Sequence, residues 1–140
     1  MTLKELSQLY YLNREIERDQ ERLEQLRASV SAPGAPNYDG MPKSPSFENR
    51  LERYIAEIVD LEAIIQAKIT QCLHERNRLE RYIAEIPDSL TRQIFTLRFI
   101  DGLSWVQIAF SIGNNTADSV RMICNRHISK TNAEEKSKNI

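Results

Sequence analysis

RFIDGLSWVQIAFSIG, at residues 98–113, is the most informative segment of this 140-residue chain. It predicts the end of one helix, a tight turn at Asp101 and Gly102, a short helix capped by Ser104, and a second glycine turn. A further helix is expected from about residue 116 to residue 130. Short helices separated by turns of this size are typical of a helix-turn-helix, which places its last helix in the major groove of DNA.

Apolar residues recur at three- and four-residue spacing throughout this region, as expected for the buried faces of helices. Pro87 ends the preceding helix because it lacks an amide hydrogen, and Asp88 or Ser89 can cap a new one. The predicted core residues of the three helices are Leu90, Ile94, Leu97 and Phe99 or Ile100; Trp105, Ile108, Ala109 and Ile112; and Val120, Ile123, Cys124 and Ile128.

The opposite face of the third helix carries side chains that suit DNA. Arg121, Asn125 and Arg126 are the candidates for base edges in the major groove, because arginine pairs with guanine and asparagine with adenine. The candidates for backbone phosphates are Thr116, Ser119 and Lys130, with Met122 on the same face. The alternative interpretation is a three-helix cluster that only packs against the rest of the protein.

The charge distribution supports DNA binding only weakly. Residues 88–140 contain seven Lys or Arg against five Asp or Glu, a net charge of +2, whereas residues 1–87 contain twelve against fifteen, a net charge of −3. A DNA-binding domain usually carries a strongly basic patch. Binding by a single copy of the chain is therefore expected to be weak.

The pattern Arg98-x-x-Asp-Gly-Leu-Ser-Trp-x-x-Ile-Ala-x-x-x-Gly113 resembles the C-terminal promoter-reading region of sigma factors. With the long helices before it, the chain more closely resembles phage and prophage transcriptional regulators of the ArpU/RinA type. The resemblance implies a helical hairpin, a Gly/Pro-bearing loop and a sigma-like helix-turn-helix that binds double-stranded DNA. Such proteins often carry His-x-Arg-Ala-Leu where this chain has CNRHI, residues 124–128, which retains Arg126 but has His127 in place of a small residue.

The segment before Pro87 contains an identical repeat. The ten letters NRLERYIAEI occupy residues 49–58 and recur at residues 77–86, an offset of 28 residues or four heptads. Such an offset returns the same side chains to the same face of a supercoiled helix. A broad apolar stripe, widened by Tyr54 and Tyr82, favours a helical bundle over a two-stranded coil. The residues that step by seven along it are Leu51, Ile58, Ile65, Cys72, Leu79 and Ile86.

These patterns predict an all-α protein whose two long helices fold back into an antiparallel hairpin. Helix one is expected at residues 2–30 and helix two at residues 47–86, joined by a Pro- and Gly-rich loop at residues 31–46. We interpret this loop as a plain linker. The alternative is an apolar hook for a partner, formed by Tyr38, Met41 and Pro42.

The predicted domains are a stalk at residues 1–87, a head at residues 88–132 and a polar tail at residues 133–140. The wide apolar stripes predict that two hairpins pair into a homodimeric four-helix bundle, because DNA readers commonly combine two weak half-site contacts. Parallel chains would place both heads at one end, suited to half-sites about 34 Å apart. Antiparallel chains would place them at opposite ends, and the sequence leaves both arrangements open.

The same patterns argue against other classes of protein. No phosphate-cradling loop, nucleophile motif or metal-ligand spacing is present in the sequence, so we expect neither an enzyme nor a bound metal or cofactor. Cys72 and Cys124 are interpreted as buried cytosolic thiols. Without a signal peptide or apolar span, a cytoplasmic location is expected. Two further alternatives are an adaptor that contacts RNA polymerase without DNA specificity and a small terminase-like packaging subunit.

Overall fold

The computed structural model describes residues 1–31 and 45–139. This part of the chain consists of helices and turns and contains no strand, which confirms the predicted all-α class. Within it, no helix is both long enough and apolar enough to span a membrane. Residues 32–44, which include the alternative hook at Tyr38 and Met41, lie outside the described residues.

Three helices form the first part of the described chain. They are α1 (Leu3–Leu6), α2 (Gln8–Ser31) and α3 (Pro45–Ala84). A capping box starts α1: the Thr2 N–H donates to Glu5 Oε2 at 2.7 Å, and the Glu5 N–H donates to Thr2 Oγ1 at 3.2 Å. The helix predicted at residues 2–30 is interrupted at Ser7, whose hydroxyl donates to the Leu3 carbonyl at 2.8 Å. Such local bonds compete with helix continuation.

Four further elements follow Pro87. They are α4 (Ser89–Phe95), a π-helical turn (Thr96–Ile100), α5 (Trp105–Ile112) and α6 (Ala117–Lys138). Their predicted apolar faces are confirmed, since Ile94, Phe99, Ile108 and Val120 are all buried. The expected end of the last helix near residue 130 was wrong. Residues 131–138 contain neither glycine nor proline, so most of the predicted polar tail continues α6.

The described chain divides into two compact units. Unit 1 comprises Met1–Asn13 and Cys72–Ile140. At its centre Phe95 is fully buried, and its ring centroid lies 5.3 Å from Phe99, 5.3 Å from His127 and 6.3 Å from Tyr82. The core includes Leu6, Leu9, Leu79, Ile83, Ile86, Ile94, Phe95, Phe99, Ile108, Ala109, Val120, Cys124 and Ile128. Residues 1–13 and 72–87, which the sequence assigned to the stalk, thus share a core with the predicted head.

Unit 2 comprises Arg14–Gln71 and contains ion pairs between α2 and α3 beside a small buried apolar layer. Lys68 lies 2.5 Å from Asp19 and 3.5 Å from Glu15, and Arg27 lies 2.6 Å from Glu62. The hydrogen bond from Lys68 to Asp19 raises the pKa of the lysine. The buried apolar residues of this unit are Ile16, Leu23, Leu26 and Ile65.

Candidate nucleic-acid interface

The turn before α5 is closed by a glycine, as the sequence predicts. Gly102 has a φ of +71°, a conformation that L side chains rarely adopt. The Asp101 N–H donates to the Thr96 carbonyl, and the Leu103 N–H donates to the Leu97 carbonyl, both at 3.0 Å. These bonds satisfy the carbonyls of the first two residues of the π-helical turn and set the direction in which α5 starts.

A capping box then starts α5. The Gln107 N–H donates to Ser104 Oγ at 3.2 Å, and the Ser104 N–H donates to Gln107 Oε1 at 2.9 Å. The helix ends at Gly113, which has a φ of +76° and donates its N–H to the Ala109 carbonyl at 2.9 Å. Asn114 also has a positive φ, +56°. The chain therefore reverses within a few residues, and α6 packs against α5.

A short polar network fixes the start of α6. Thr116 Oγ1 accepts from the Ser119 N–H at 3.1 Å, so Thr116 is the helix cap. The Ser119 hydroxyl, half-buried, donates to Asn115 Oδ1 at 3.2 Å, and the Asn115 amide donates to the Gly113 carbonyl at 3.1 Å. A hydrogen bond from Ser119 to a phosphate would require its bond to Asn115 to break. Thr116 is exposed at the surface.

The outward face of α6 brings together most of the residues predicted to contact DNA. Arg121, Met122, Asn125 and Arg126 are exposed and, with Ser129, line one shallow groove of about 400 Å³. Ser129 was missed by the sequence reasoning, although its spacing of four from Asn125 is a signal that would have found it. Lys130, which is predicted to contact a phosphate, is exposed but does not line this groove.

An ion pair modifies the charge of this face, and His127 packs behind it. The Arg121 guanidinium lies 3.4 Å from the Asp118 carboxylate, an exposed pair that a nucleic acid would have to compete with. His127, which departs from the resemblance, is half-buried and packs edge-on against Phe95. Burial lowers the pKa of His127. The histidine is therefore a packing residue of the core and is not part of the outward groove.

The outer face of α5 carries apolar side chains that the sequence reasoning did not single out. Phe110 is 91% exposed and Val106 is 70% exposed. They are four residues apart and so lie on the same side of the helix, opposite the buried Ile108. Exposed aromatic and aliphatic residues of this kind, when they are contiguous, mark surfaces for protein contacts.

The remaining candidates for nucleophiles or metal ligands are the two cysteine thiols and the groups of histidine and acidic side chains. Both cysteines are free thiols, and burial raises the pKa of Cys124 to about 12. Cys72 is half-buried, and its thiol lies 3.6 Å from Asn13 Oδ1. In residues 1–31 and 45–139, no group of histidine, cysteine or acidic side chains is arranged to hold a metal ion.

Comparison with protein-family models, curated proteins and solved structures finds no match for this chain.

Proposed function

We propose that this chain is a sequence-specific DNA-binding transcription regulator of phage or prophage type. In this proposal α5, the turn at residues 113–116 and α6 act as a sigma-like helix-turn-helix, and α6 lies in the major groove. Arg121, Asn125 and Arg126 contact base edges, and Thr116 and Lys130 contact phosphates.

The observation that carries this proposal is the two-sided character of α6. Val120 and Cys124 are fully buried in the core of unit 1, whereas Arg121, Asn125 and Arg126 are exposed. A helix held on one face by an apolar core can present its other face to DNA with little loss of conformational entropy on binding. Arginine and asparagine are the side chains that pair bidentately with guanine and adenine.

The proposal includes a hairpin stalk that forms a homodimer. In unit 2 the ion pairs join α2 and α3 in opposite order, since Lys68 pairs with Asp19 and Glu62 with Arg27. This order supports an antiparallel hairpin. On one side of α3 in unit 2, the apolar residues Ile55 and Val59 lie four positions apart and are 48% and 58% exposed. A second copy of the chain would cover them.

The experiment that tests DNA reading is selection from a randomised duplex library, followed by fluorescence anisotropy on the selected DNA and its shuffled version. The test variant is the double substitution Arg121→Ala/Arg126→Ala. Its matched control is Lys136→Ala/Lys138→Ala, which removes the same charge from exposed positions at the end of α6.

We expect the test variant to lose about 30-fold or more in affinity for the selected DNA, since each bidentate base contact contributes about 1–3 kcal/mol. Affinity for shuffled DNA should fall less, and the control should keep its preference for the selected sequence. Equal losses on both DNAs, or no enriched sequence from a folded protein, would contradict the proposal.

The exposed Phe110 and Val106 favour a second candidate function, a protein adaptor that contacts RNA polymerase. Contact with water or DNA phosphates does not stabilise apolar side chains that are this exposed, whereas a protein partner would bury them. In this case Phe110→Ala should weaken binding to purified polymerase and leave DNA affinity unchanged. Polymerase binding by a chain that selects no DNA would favour the adaptor over the regulator.

A further inference from the structure

A second polar concavity lies in unit 1, away from the groove on α6. It is a cleft of about 290 Å³ between the start of α2 and the turn that leads into α5. Tyr10 lies over that turn, because its Cδ2 atom is 3.8 Å from the position that a Cβ atom on Gly102 would occupy. The cleft is lined by Tyr10, Tyr11, Arg98, Gly102, Ser104 and Gln107.

The guanidinium of Arg98 is held in place at this cleft by two contacts. Its central carbon lies 4.2 Å from the ring centroid of Trp105, and Nη1 donates to the Leu103 carbonyl at 3.0 Å. Neither contact neutralises the positive charge, and none of the ion pairs among the described residues involves Arg98. A guanidinium has five N–H donors, so several remain after the bond to Leu103.

The other groups at the cleft also suit an anion. Ser104 marks the N-terminus of α5, where the helix dipole has its positive end. The Tyr11 side chain is 59% exposed and carries a hydroxyl, a group that commonly donates to phosphates. Among the described residues that line the cleft there is no carboxylate. A fixed cation without a neutralising partner thus lies next to polar donors in a concave surface.

We infer that this cleft binds a backbone phosphate of DNA, and the inference rests on the function proposed above. In a helix-turn-helix the first helix crosses the DNA backbone while the second lies in the groove. The cleft is at the N-terminal end of α5, the first helix of that pair. Arg98 supplies the charge and Tyr11 a hydrogen bond, so residues from the beginning of the chain contribute to a DNA contact that carries no sequence information.

The test measures anisotropy of the full-length chain with selected and shuffled DNA over a range of salt concentrations. Arg98→Gln removes the positive charge from the cleft. Tyr11→Glu introduces a carboxylate at an exposed position outside the apolar core. Arg81→Gln is the control, because Arg81 is an exposed cation on α3 that does not line the cleft. Thermal melting followed by circular dichroism shows whether each variant remains folded.

We expect Arg98→Gln to reduce the slope of log K against log salt by about 0.9 on both DNAs, which corresponds to one phosphate contact. Tyr11→Glu should weaken binding to both DNAs by about tenfold near 0.1 M salt, and Arg81→Gln should leave the slope unchanged. If Arg98→Gln unfolds the protein, the comparison of Tyr11→Glu with Arg81→Gln decides the question by itself.

Three results would overturn the inference. If wild-type protein binds DNA but the cleft variants behave like Arg81→Gln, the cleft makes no phosphate contact and the proposed function stands. If wild-type protein binds no DNA, both the inference and the proposed function fail. Free inorganic phosphate is the other ligand that would suit these groups. Saturable changes in the NMR signals of Tyr11 at millimolar phosphate, together with cleft variants that bind DNA like wild type, would assign the cleft to free phosphate instead.

Discussion

The two copies of NRLERYIAEI are identical in sequence but lie in different surroundings. In the copy at residues 77–86, Leu79 is fully buried and Ile83 is 5% exposed. At the equivalent positions of the copy at residues 49–58, Leu51 is half-buried and Ile55 is 48% exposed. The second copy belongs to the apolar core of unit 1, and the first belongs to unit 2. An amphipathic pattern therefore sets which face of a helix is apolar but not how much of that face is buried.

The two copies should contribute differently to the stability of the protein because of their burial, although their local helix propensity is identical. Burial of a leucine side chain contributes about 1.5–3 kcal/mol, whereas the helix propensity of the two copies is the same. The exposed copy retains apolar surface that a second chain can cover. The buried copy has already used the equivalent surface within its own unit.

The largest effect is expected from truncating the equivalent leucines. Leu79→Ala should lower the free energy of unfolding by about 2–5 kcal/mol, because it leaves a cavity in the core. Leu51→Ala, the matched control in the first copy, should cost less than about 1 kcal/mol at protein concentrations low enough to keep the chain monomeric. Chemical denaturation measures both. Equal costs would show that the first copy is as well packed as the second.

A second prediction concerns self-association through the first copy. Ile55→Lys should weaken dimerisation by about tenfold or more, because a charge would be placed in an apolar contact between two chains. Ala84→Lys adds the same charge at an exposed position of the second copy and should leave association unchanged. Sedimentation velocity over a range of concentrations gives the dissociation constants. A monomeric wild-type chain would refute the role assigned to the exposed face.

A smaller effect is expected from the ion pairs of unit 2. Lys68→Gln should destabilise the protein by about 0.2–1 kcal/mol, and the difference should shrink in high salt. Because the pKa of Lys68 is higher in the folded chain than in the unfolded one, its contribution is present at neutral pH. It is lost only as the pH rises through the raised value. Thermal melts at low and high salt measure the difference, and a salt-independent loss would indicate packing instead.

The smallest expected effect is a loss of stability in mild acid from the core that contains the second copy. Burial lowers the pKa of His127, so the unfolded chain takes up the proton first as the pH falls below the ordinary histidine value. Between about pH 7.5 and about pH 5.5, the melting temperature of wild-type protein should fall by more than that of His127→Asn. Identical changes in the two proteins would show that His127 does not contribute.

Much of the candidate site could be predicted from local signals in the sequence. The glycine turns, the Ser104 cap and the apolar spacing of α5 and α6 each depend on residues within a few positions of one another. The continuation of α6 to Lys138 was missed, although residues 131–138 contain neither glycine nor proline and helix propensity favours continuation.

Other features of the site depend on residues that are distant in the chain. Tyr10 reaches the turn at Gly102 only because the start of α2 packs into the core of unit 1. Likewise helical spacing places Ile108 on the buried face of α5, but it does not show that Phe110, which is also apolar, is left 91% exposed. Sequence periodicity identifies which face of a helix is apolar. Whether that face is buried depends on residues that are distant in the chain.

The helical class, the approximate bounds of most helices and the two-sided character of α6 follow from the sequence, because hydrogen bonding within a helix, capping and periodicity are local. The inclusion of residues 1–13 in the core of unit 1 and the different burial of the two identical repeats depend on packing between distant parts of the chain. Burial is a property of pairs of surfaces. A side chain loses its contact with water only where a distant part of the chain, or another chain, supplies the matching surface.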